Sequence, residues 1–337
     1  MLSARLPTLP GLGGLEGLDG RCRGRTQMRL ISLEMTPVTF RTMDEALLEL
    51  LSKLLRDGQR ASPRGFGTTE LLGYGFRLSN PRARRIGLPG REWKESLAVG
   101  EFCWHLSQSD SLAFIAYYTP TWEQFSEDGE RIVSSCYGKR IFGGGHRSQW
   151  QRVRGALAGD LATRRAVLTL VDTEGDLTSA KDVSCVTSMQ FLARGGQLNC
   201  ITTMRSCDVI WGLSYDVYFC TMLQELMAVQ LGIELGWYQH SCGSLHLYDQ
   251  FKPMATQIVS EGLVSEADPM ASLDTPEALP GFLGVEEALR DNHANAAALV
   301  AALPEYWRAL ASPLRRLHNR RWGALGRNGA GSVLDSV

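Results

Sequence analysis

Asp182-Val183-Ser184-Cys185-Val186-Thr187-Ser188-Met189-Gln190-Phe191 decides how this chain is read. Cys185 stands between a serine and a valine at a strand entry, and residues 188–194 follow as a buried strand. Gly195-Gly196 then supplies a turn, and residues 197–205 alternate enough to return as a hairpin partner. That second run leads into Arg205-Ser206-Cys207-Asp208, and Tyr215-Asp216-Val217 follows. Residues 217–231 are apolar nearly all round, the pattern of a central buried helix. A thiol nucleophile, an anion-binding arginine and a carboxylate therefore come from three neighbouring elements.

Working outward, residues 42–56 place Ala46, Leu47, Leu50, Leu51 and Leu54 at helical spacing, with Asp44 and Glu45 in the first turn. Ser62-Pro63-Arg64-Gly65-Phe66-Gly67-Thr68 is a turn-rich loop, and residues 70–78 read as a strand. Residues 97–106, 109–117 and 149–161 read as helices, 165–172 as a buried strand and 245–248 as a further strand. After residue 265 the composition shifts to Ala, Leu, Glu and Arg. Pro269, Pro276, Pro280, Pro304 and Pro313 break that part into short helices. Residues 1–27 read as a disordered leader, 28–265 as the main domain and 266–337 as a divergent helical segment.

With 337 residues, 44% of them hydrophobic, the chain can bury one large core. A net charge of −1 gives no basic field, so nucleic acid is not an expected partner. No apolar run has the length of a membrane span. The eight cysteines (22, 103, 136, 185, 200, 207, 220, 242) form no C-x-x-C pair, which argues against zinc. They suit free thiols in a reducing cytoplasm. His105, His146 and His240 have no ligand-like spacing, and Gly143-Gly144-Gly145 lacks the lysine ending of a phosphate loop.

Several ordered blocks between about residues 40 and 250 resemble the thymidylate synthase family, which includes the cytidylate hydroxymethylases. Glu101-Phe102-Cys103-Trp104-His105-Leu106, Thr119-Pro120-Thr121-Trp122 and Tyr137-Gly138-Lys139-Arg140 carry the resemblance, as do Thr163-Arg164-Arg165, Arg205-Ser206-Cys207-Asp208 with Gly212, and His246-Leu247-Tyr248. It implies an α+β three-layer fold with a twisted mixed sheet, packed sheet to sheet in a homodimer. Cys185 is implied as nucleophile, with Glu101, Tyr137 and Asp216 as its catalytic companions. Arg64, Arg205 and Ser206 are implied at the nucleotide phosphate, joined by Arg164 and Arg165 from the partner subunit. His246 and Tyr248 would hold the sugar 3'-hydroxyl. Trp122, Asp208 and Gly212 would contact the folate co-substrate, 5,10-methylenetetrahydrofolate, and no metal is implied.

The departures are informative. The histidine that follows the family's nucleophile is Val186, the glutamine before the phosphate arginine is Met204, and the asparagine that reads uracil is Asp216. Nothing after about residue 265 resembles the family's C-terminal part. A carboxylate accepts from the 4-amino group of cytosine, and a proton shared with the ring nitrogen completes the match. The resemblance thus points to 5-hydroxymethylation of CMP, ahead of dCMP. A methylating enzyme on dUMP or dCMP and a catalytically silent nucleotide-binding paralogue are the alternatives.

Each residue also has a plainer reading. A lone buried cysteine is usually an inert core thiol. Asp216 suits a helix N-cap, Trp122 a core filler, and a glutamate in an apolar helix usually turns to solvent. The arginines by default are surface charges, although a guanidinium pair before an apolar strand is costly unless paired. Arg64 and Arg205 are expected to favour the thiolate of Cys185, and burial to raise Glu101 toward working pH.

Overall fold

Thr42 starts the first helix because its hydroxyl accepts from the Glu45 N–H at 3.1 Å while Glu45 reaches back to the N–H groups of Arg41 and Thr42. The computed structural model describes residues 37–171, 177–264 and 268–329, by backbone alone beyond residue 322. The expected leader at 1–27 lies outside the described residues. Strand β1 is Val38–Phe40, and helix α1, Met43–Asp57, buries Met43, Ala46, Leu47, Leu50, Leu51 and Leu54 as one stripe. There follow β2 (Gln59–Ala61), β3 (Thr68–Leu78), α2 (Glu95–Leu106), α3 (Leu112–Ala116), α4 (Tyr137–Phe142), α5 (Gln149–Gly159) and β4 (Val167–Thr169). The second half comprises β5 (Val186–Arg194), β6 (Gln197–Asp208), α6 (Leu213–Leu231), β7 (Glu234–Tyr248), α7 (Lys252–Glu261), α8 (Leu279–Arg290), α9 (Ala296–Ala302) and α10 (Glu305–Gly329).

The strands form one mixed sheet in the order β1-β3-β7-β6-β5-β4, with β2 on β3. β1 runs parallel to β3 and β6 parallel to β7, and the other pairs are antiparallel. The expected hairpin is β5–β6, joined through Gly195 and Gly196, both at positive φ. The expected strand at 165–172 is only Val167–Thr169 here, with Asp172 outside the described residues.

Three neighbouring strands change the phase of their burial at one level. In β6 the buried positions are Cys200, Thr202 and Met204, then Cys207; in β7 they are Tyr238, His240 and Cys242, then Leu245 and Leu247. β5 changes between Val186 and Met189, where its register with β6 also shifts, and Gly73 of β3 takes a φ of 63°. A strand alternates with period two, so a common phase change is a kink running across the sheet. It brings Cys185, Arg205 and Cys242 to one level.

Helix α6 packs against β6 and β7 and is buried along most of its length, ending at Gly232 with φ of 65°. Its Glu225 is fully buried and paired with Arg84, itself fully buried, and with Arg82 at 2.7 Å. The Leu273 N–H also donates to it at 3.1 Å. Burial alone would raise this carboxyl, but the two guanidiniums and the N–H outweigh it and hold it below its ordinary value. Glu225→Gln is expected to destabilise the fold by about 3–5 kcal/mol, because Arg84 is left charged and unpaired in the core. Urea unfolding measures this, and a loss under about 1 kcal/mol would mean that Arg84 finds another partner.

The C-terminal helices belong to the same compact unit as the sheet. Tyr118 donates to Glu286 of α8 at 2.6 Å, Phe282 packs on Trp307 of α10, and Trp307 donates to the Thr275 carbonyl at 2.7 Å. Pro276 and Pro280 stand at helix starts, as expected of breakers, but Pro313 lies inside α10. Packing of the Trp307, Leu310 and Leu314 face outweighs the hydrogen bond that Pro313 removes. Among the described residues no helix is long and apolar enough to cross a membrane.

Candidate active site

Cys185 is the last residue before β5, half-buried, and its carbonyl accepts from the Arg205 N–H at 2.9 Å. The Arg205 side chain wraps the same turn. Its Nε donates to the Ser184 carbonyl at 2.8 Å and its Nη2 to the Val183 carbonyl at 2.7 Å, with Cys185 Sγ 3.7 Å away. Tyr137 Oη accepts from the Val186 N–H at 3.2 Å, which pins the residue on the far side of the thiol. Tyr137 opens α4, and α4 approaches α2 closely at Gly138. A Cβ there would stand 1.8 Å from the His105 carbonyl oxygen, so only glycine fits.

Asp182 and Ser184 complete the support of this turn. Asp182 accepts from the Ser134 and Ser135 N–H groups at 2.7 and 2.8 Å and from the Ser135 hydroxyl. Ser184 Oγ donates to the Ser134 carbonyl at 2.7 Å and accepts from Arg140 at 3.0 Å. The sequence reading missed Asp182, Ser184 and Arg140 as supports. Their one local signal is that Arg140 lies three residues after Tyr137 on α4 and so shares its face.

Burial pushes the Cys185 thiol up to about 11, against the pull of Arg205 and Arg64 and with Asp216 and Asp182 raising it further. The arginines do pull toward the thiolate, as expected, but desolvation and two carboxylates outweigh them. Iodoacetamide labelling of the Cys185 peptide, read by mass spectrometry, is expected to climb about tenfold per pH unit between about pH 7 and pH 10. A plateau reached near pH 8 would show an activated thiol instead.

Glu101 projects from α2, where it is half-buried and accepts from Trp122 Nε1 at 3.2 Å. Burial first and the charge of Asp216 second raise its carboxyl to about 8, while the indole N–H opposes them. The direction agrees with the sequence expectation. Trp122 in turn packs on Trp104 and Phe125, with ring centroids 5.4 and 5.7 Å away.

Asp216 lies in the first turn of α6, but the N-cap is Gly212, with no side-chain cap. The helix-cap reading of Asp216 is thereby removed. Its carboxylate has no hydrogen-bond partner among the described residues. Burial raises it to about 7, the charge of His240 opposes this, and Cys242 and Asp208 add to it. A Cβ on Gly212 would stand 3.1 Å from Asp216 Oδ2, so this glycine leaves the space the carboxylate occupies. Asp208 uses Oδ1 to accept from the Ile210 and Trp211 N–H groups, while Oδ2 is buried without a partner.

His246 and Tyr248 lie two apart on β7 with rings edge to face at 5.2 Å, and Trp211 packs on Tyr248 at 5.7 Å. Arg64 sits in an exposed turn at φ 52°, ψ 28°, a left-handed conformation uncommon for arginine, and its charge acts on both Tyr248 and Cys185. Ser206 is half-buried next to Arg205 on β6. Arg164 and Arg165 do not join this group from within the chain. Both are exposed just before β4, where the Arg164 carbonyl accepts from Gln190 at 2.9 Å. The expected cost of burying that pair is absent because water solvates both.

Val186 and Met204 are register partners across β5 and β6, and both are buried. The two departures from the resembling pattern are thus one event, an apolar cross-strand pair beside the thiol.

The thymidylate synthase family model matches residues 45–278, more than half of the 337-residue chain. A deoxyuridylate hydroxymethyltransferase of Bacillus phage SP01 is 28% identical over 215 residues, 60% of this chain and 56% of its own length. One of Delftia phage PhiW-14 is 28% identical over 222 residues, 62% of this chain and 61% of its own. The chain therefore spans less than two thirds of these relatives' length. Since the family match runs from α1 past α7 and takes in the kinked sheet together with the thiol turn, the chain belongs to the thymidylate synthase family.

Proposed function

We propose that this protein is a cytidylate 5-hydroxymethyltransferase that acts on CMP with 5,10-methylenetetrahydrofolate as one-carbon donor. The observation that carries the reading is Asp216, an unpartnered carboxylate whose charge acts on both Cys185 and Glu101. At about 7, it exchanges a proton near neutral pH. It accepts from the cytosine 4-amino group and shares that proton with ring nitrogen 3. Uracil would set acceptor against acceptor, at about 1–3 kcal/mol for each unpaired group.

In this reading Cys185 forms a carbon–sulfur bond at carbon 6, and the electron pair moves to carbon 5. The donor supplies a methylene to carbon 5 and departs as tetrahydrofolate, with loss of the carbon-5 proton. Water adds to the resulting exocyclic methylene, and Cys185 leaves as thiolate. Glu101, protonated below about 8, manages protons at the base. Tyr137 holds the thiol turn. Arg64, Arg205 and Ser206 take the phosphate, and His246 with Tyr248 takes the 3'-hydroxyl. Trp122 would hold the folate ring, and the orphaned Oδ2 of Asp208 suits a ring N–H donor. Gly212 acts here through the room it leaves for Asp216.

Arg164 and Arg165 serve the partner's phosphate site in a sheet-to-sheet homodimer. What supports this is their exposure and a half-exposed sheet face carrying Arg77, Ile201, Trp237 and Gln239. Mixing a Cys185→Ser chain with an Arg165→Ala chain is expected to restore roughly a quarter of wild-type activity, since one heterodimer site has both groups. No recovery after verified subunit exchange would sink the shared site.

The relatives' names favour a second reading, hydroxymethylation of dUMP. Incubation of CMP, dCMP, UMP and dUMP with methylenetetrahydrofolate, followed by mass spectrometry, separates the two. A gain of one CH2O on CMP supports the proposal. A gain on dUMP alone, or a gain of CH2 with dihydrofolate released, overturns it.

A further inference from the structure

The kink in the sheet gathers three side chains that the reaction leaves unused: Cys207 of β6 and His240 and Cys242 of β7. His240 and Cys242 are two apart on one strand and share its buried face. Cys207 joins them because β6 changes phase at the same level. All three are buried, and one ligating atom of each lies within 4.8 Å of the others. Cys207 Sγ is 3.7 Å from His240 Nε2. Zinc bonds of about 2.3 Å to sulfur and about 2.0 Å to nitrogen set tetrahedral ligand atoms roughly 3.5–3.8 Å apart, so side-chain shifts of about 1 Å close the set.

The remaining ring nitrogen is also provided for. His240 Nδ1 lies 2.9 Å from the Tyr238 hydroxyl, which orients the ring and leaves Nε2 as the nitrogen facing the thiols. Phe76 stacks on the same ring at 5.5 Å and fixes its plane. Two thiolates balance a divalent charge inside a core where an unbalanced ion is costly, and soft sulfur ligands select ions of the zinc class over magnesium or calcium.

We propose that Cys207, His240 and Cys242 form a Cys2His site for a divalent ion of the zinc class, which staples β6 to β7 beneath the thiol turn. On binding, two thiol protons pass to solvent, two metal–sulfur bonds and one metal–nitrogen bond form, and one water molecule stays on the ion as its fourth ligand. The site holds structure, and its assignment does not depend on which nucleotide is turned over.

The full-length, tag-free protein, loaded with zinc under reducing conditions and dialysed against metal-free buffer, is expected to retain about one zinc per chain by elemental analysis. Replacement by cobalt(II) should give a thiolate-to-cobalt charge-transfer band with tetrahedral d–d absorption. Cys207→Ser and Cys242→Ala should each lower retained zinc at least about tenfold. Cys200→Ala, which removes a buried thiol of β6 outside the cluster, should retain it. Wild-type protein holding under about a tenth of an equivalent overturns the proposal, and so does full retention in either cluster variant. A Cys207–Cys242 disulfide in protein purified without reductant, detected as a cross-linked peptide, also overturns it. Should the variants fail to fold, the wild-type stoichiometry and the cobalt spectrum still decide.

Discussion

Cys185→Ser is expected to lower hydroxymethylation of CMP by at least about ten-thousandfold, with nucleotide binding within about threefold of wild type. The serine hydroxyl is isosteric but far less acidic than the thiol, which burial already holds at about 11. None of the groups that form the turn is removed. Arg205 still donates to the Val183 and Ser184 carbonyls, and Tyr137 still accepts from Val186. The phosphate and sugar contacts proposed for Arg64, Ser206, His246 and Tyr248 also remain, so binding persists without covalent addition. Exchange of the carbon-5 hydrogen with solvent tests the addition step alone, since it needs carbon 6 to be attacked. Exchange at the wild-type rate in the serine variant would show that Cys185 is not the nucleophile.

The second large effect is on base choice. Asp216→Asn should move the ratio of kcat/KM for CMP over UMP by roughly ten- to hundredfold toward UMP. An amide regains a donor for the uracil 4-carbonyl and an acceptor for its N3–H, while it loses the proton shared with cytosine. Turnover of CMP should therefore fall more than its binding. The fold should tolerate the change within about 1 kcal/mol, because Gly212 and not Asp216 caps α6 and the carboxylate has no protein partner to lose. The pH profile adds a separate check. In metal-free protein, activity on CMP should fall as pH rises above about 7, where Asp216 loses its proton, and the asparagine variant should lack that limb. An unchanged CMP-to-UMP ratio would remove the main support for cytosine.

Elements governed by local chemistry were legible. Thr42, Asp44, Glu45 and the leucine stripe announce α1, Gly195-Gly196 announces the β5–β6 hairpin, and the apolar run after Asp216 announces α6. β7 was not: residues 245–248 read as a strand, yet it spans Glu234–Tyr248. Gly236, Gln239, Ser241, Gly243 and Ser244 depress its propensity, but β3 and β6 pair with it on both sides and override that deficit. Pro313 misled in the same way, since the packed face of α10 tolerates it.

The reagents and the family were legible in the chain: a thiol, two carboxylates and a set of arginines, ordered in blocks that survive even where Val186, Met204 and Asp216 depart. Local spacing carries that information because strands and helices repeat over a few residues. Tertiary structure alone decided the protonation states, since burial depends on what packs around a group and not on its neighbours in the chain. It raised Cys185 to about 11, Glu101 to about 8 and Asp216 to about 7. It also decided that Arg164 and Arg165 stand apart from their own chain's thiol turn. And it assembled Cys207 with His240 and Cys242 across α6, because a kink shared by parallel strands joins residues whose separation in sequence signals nothing.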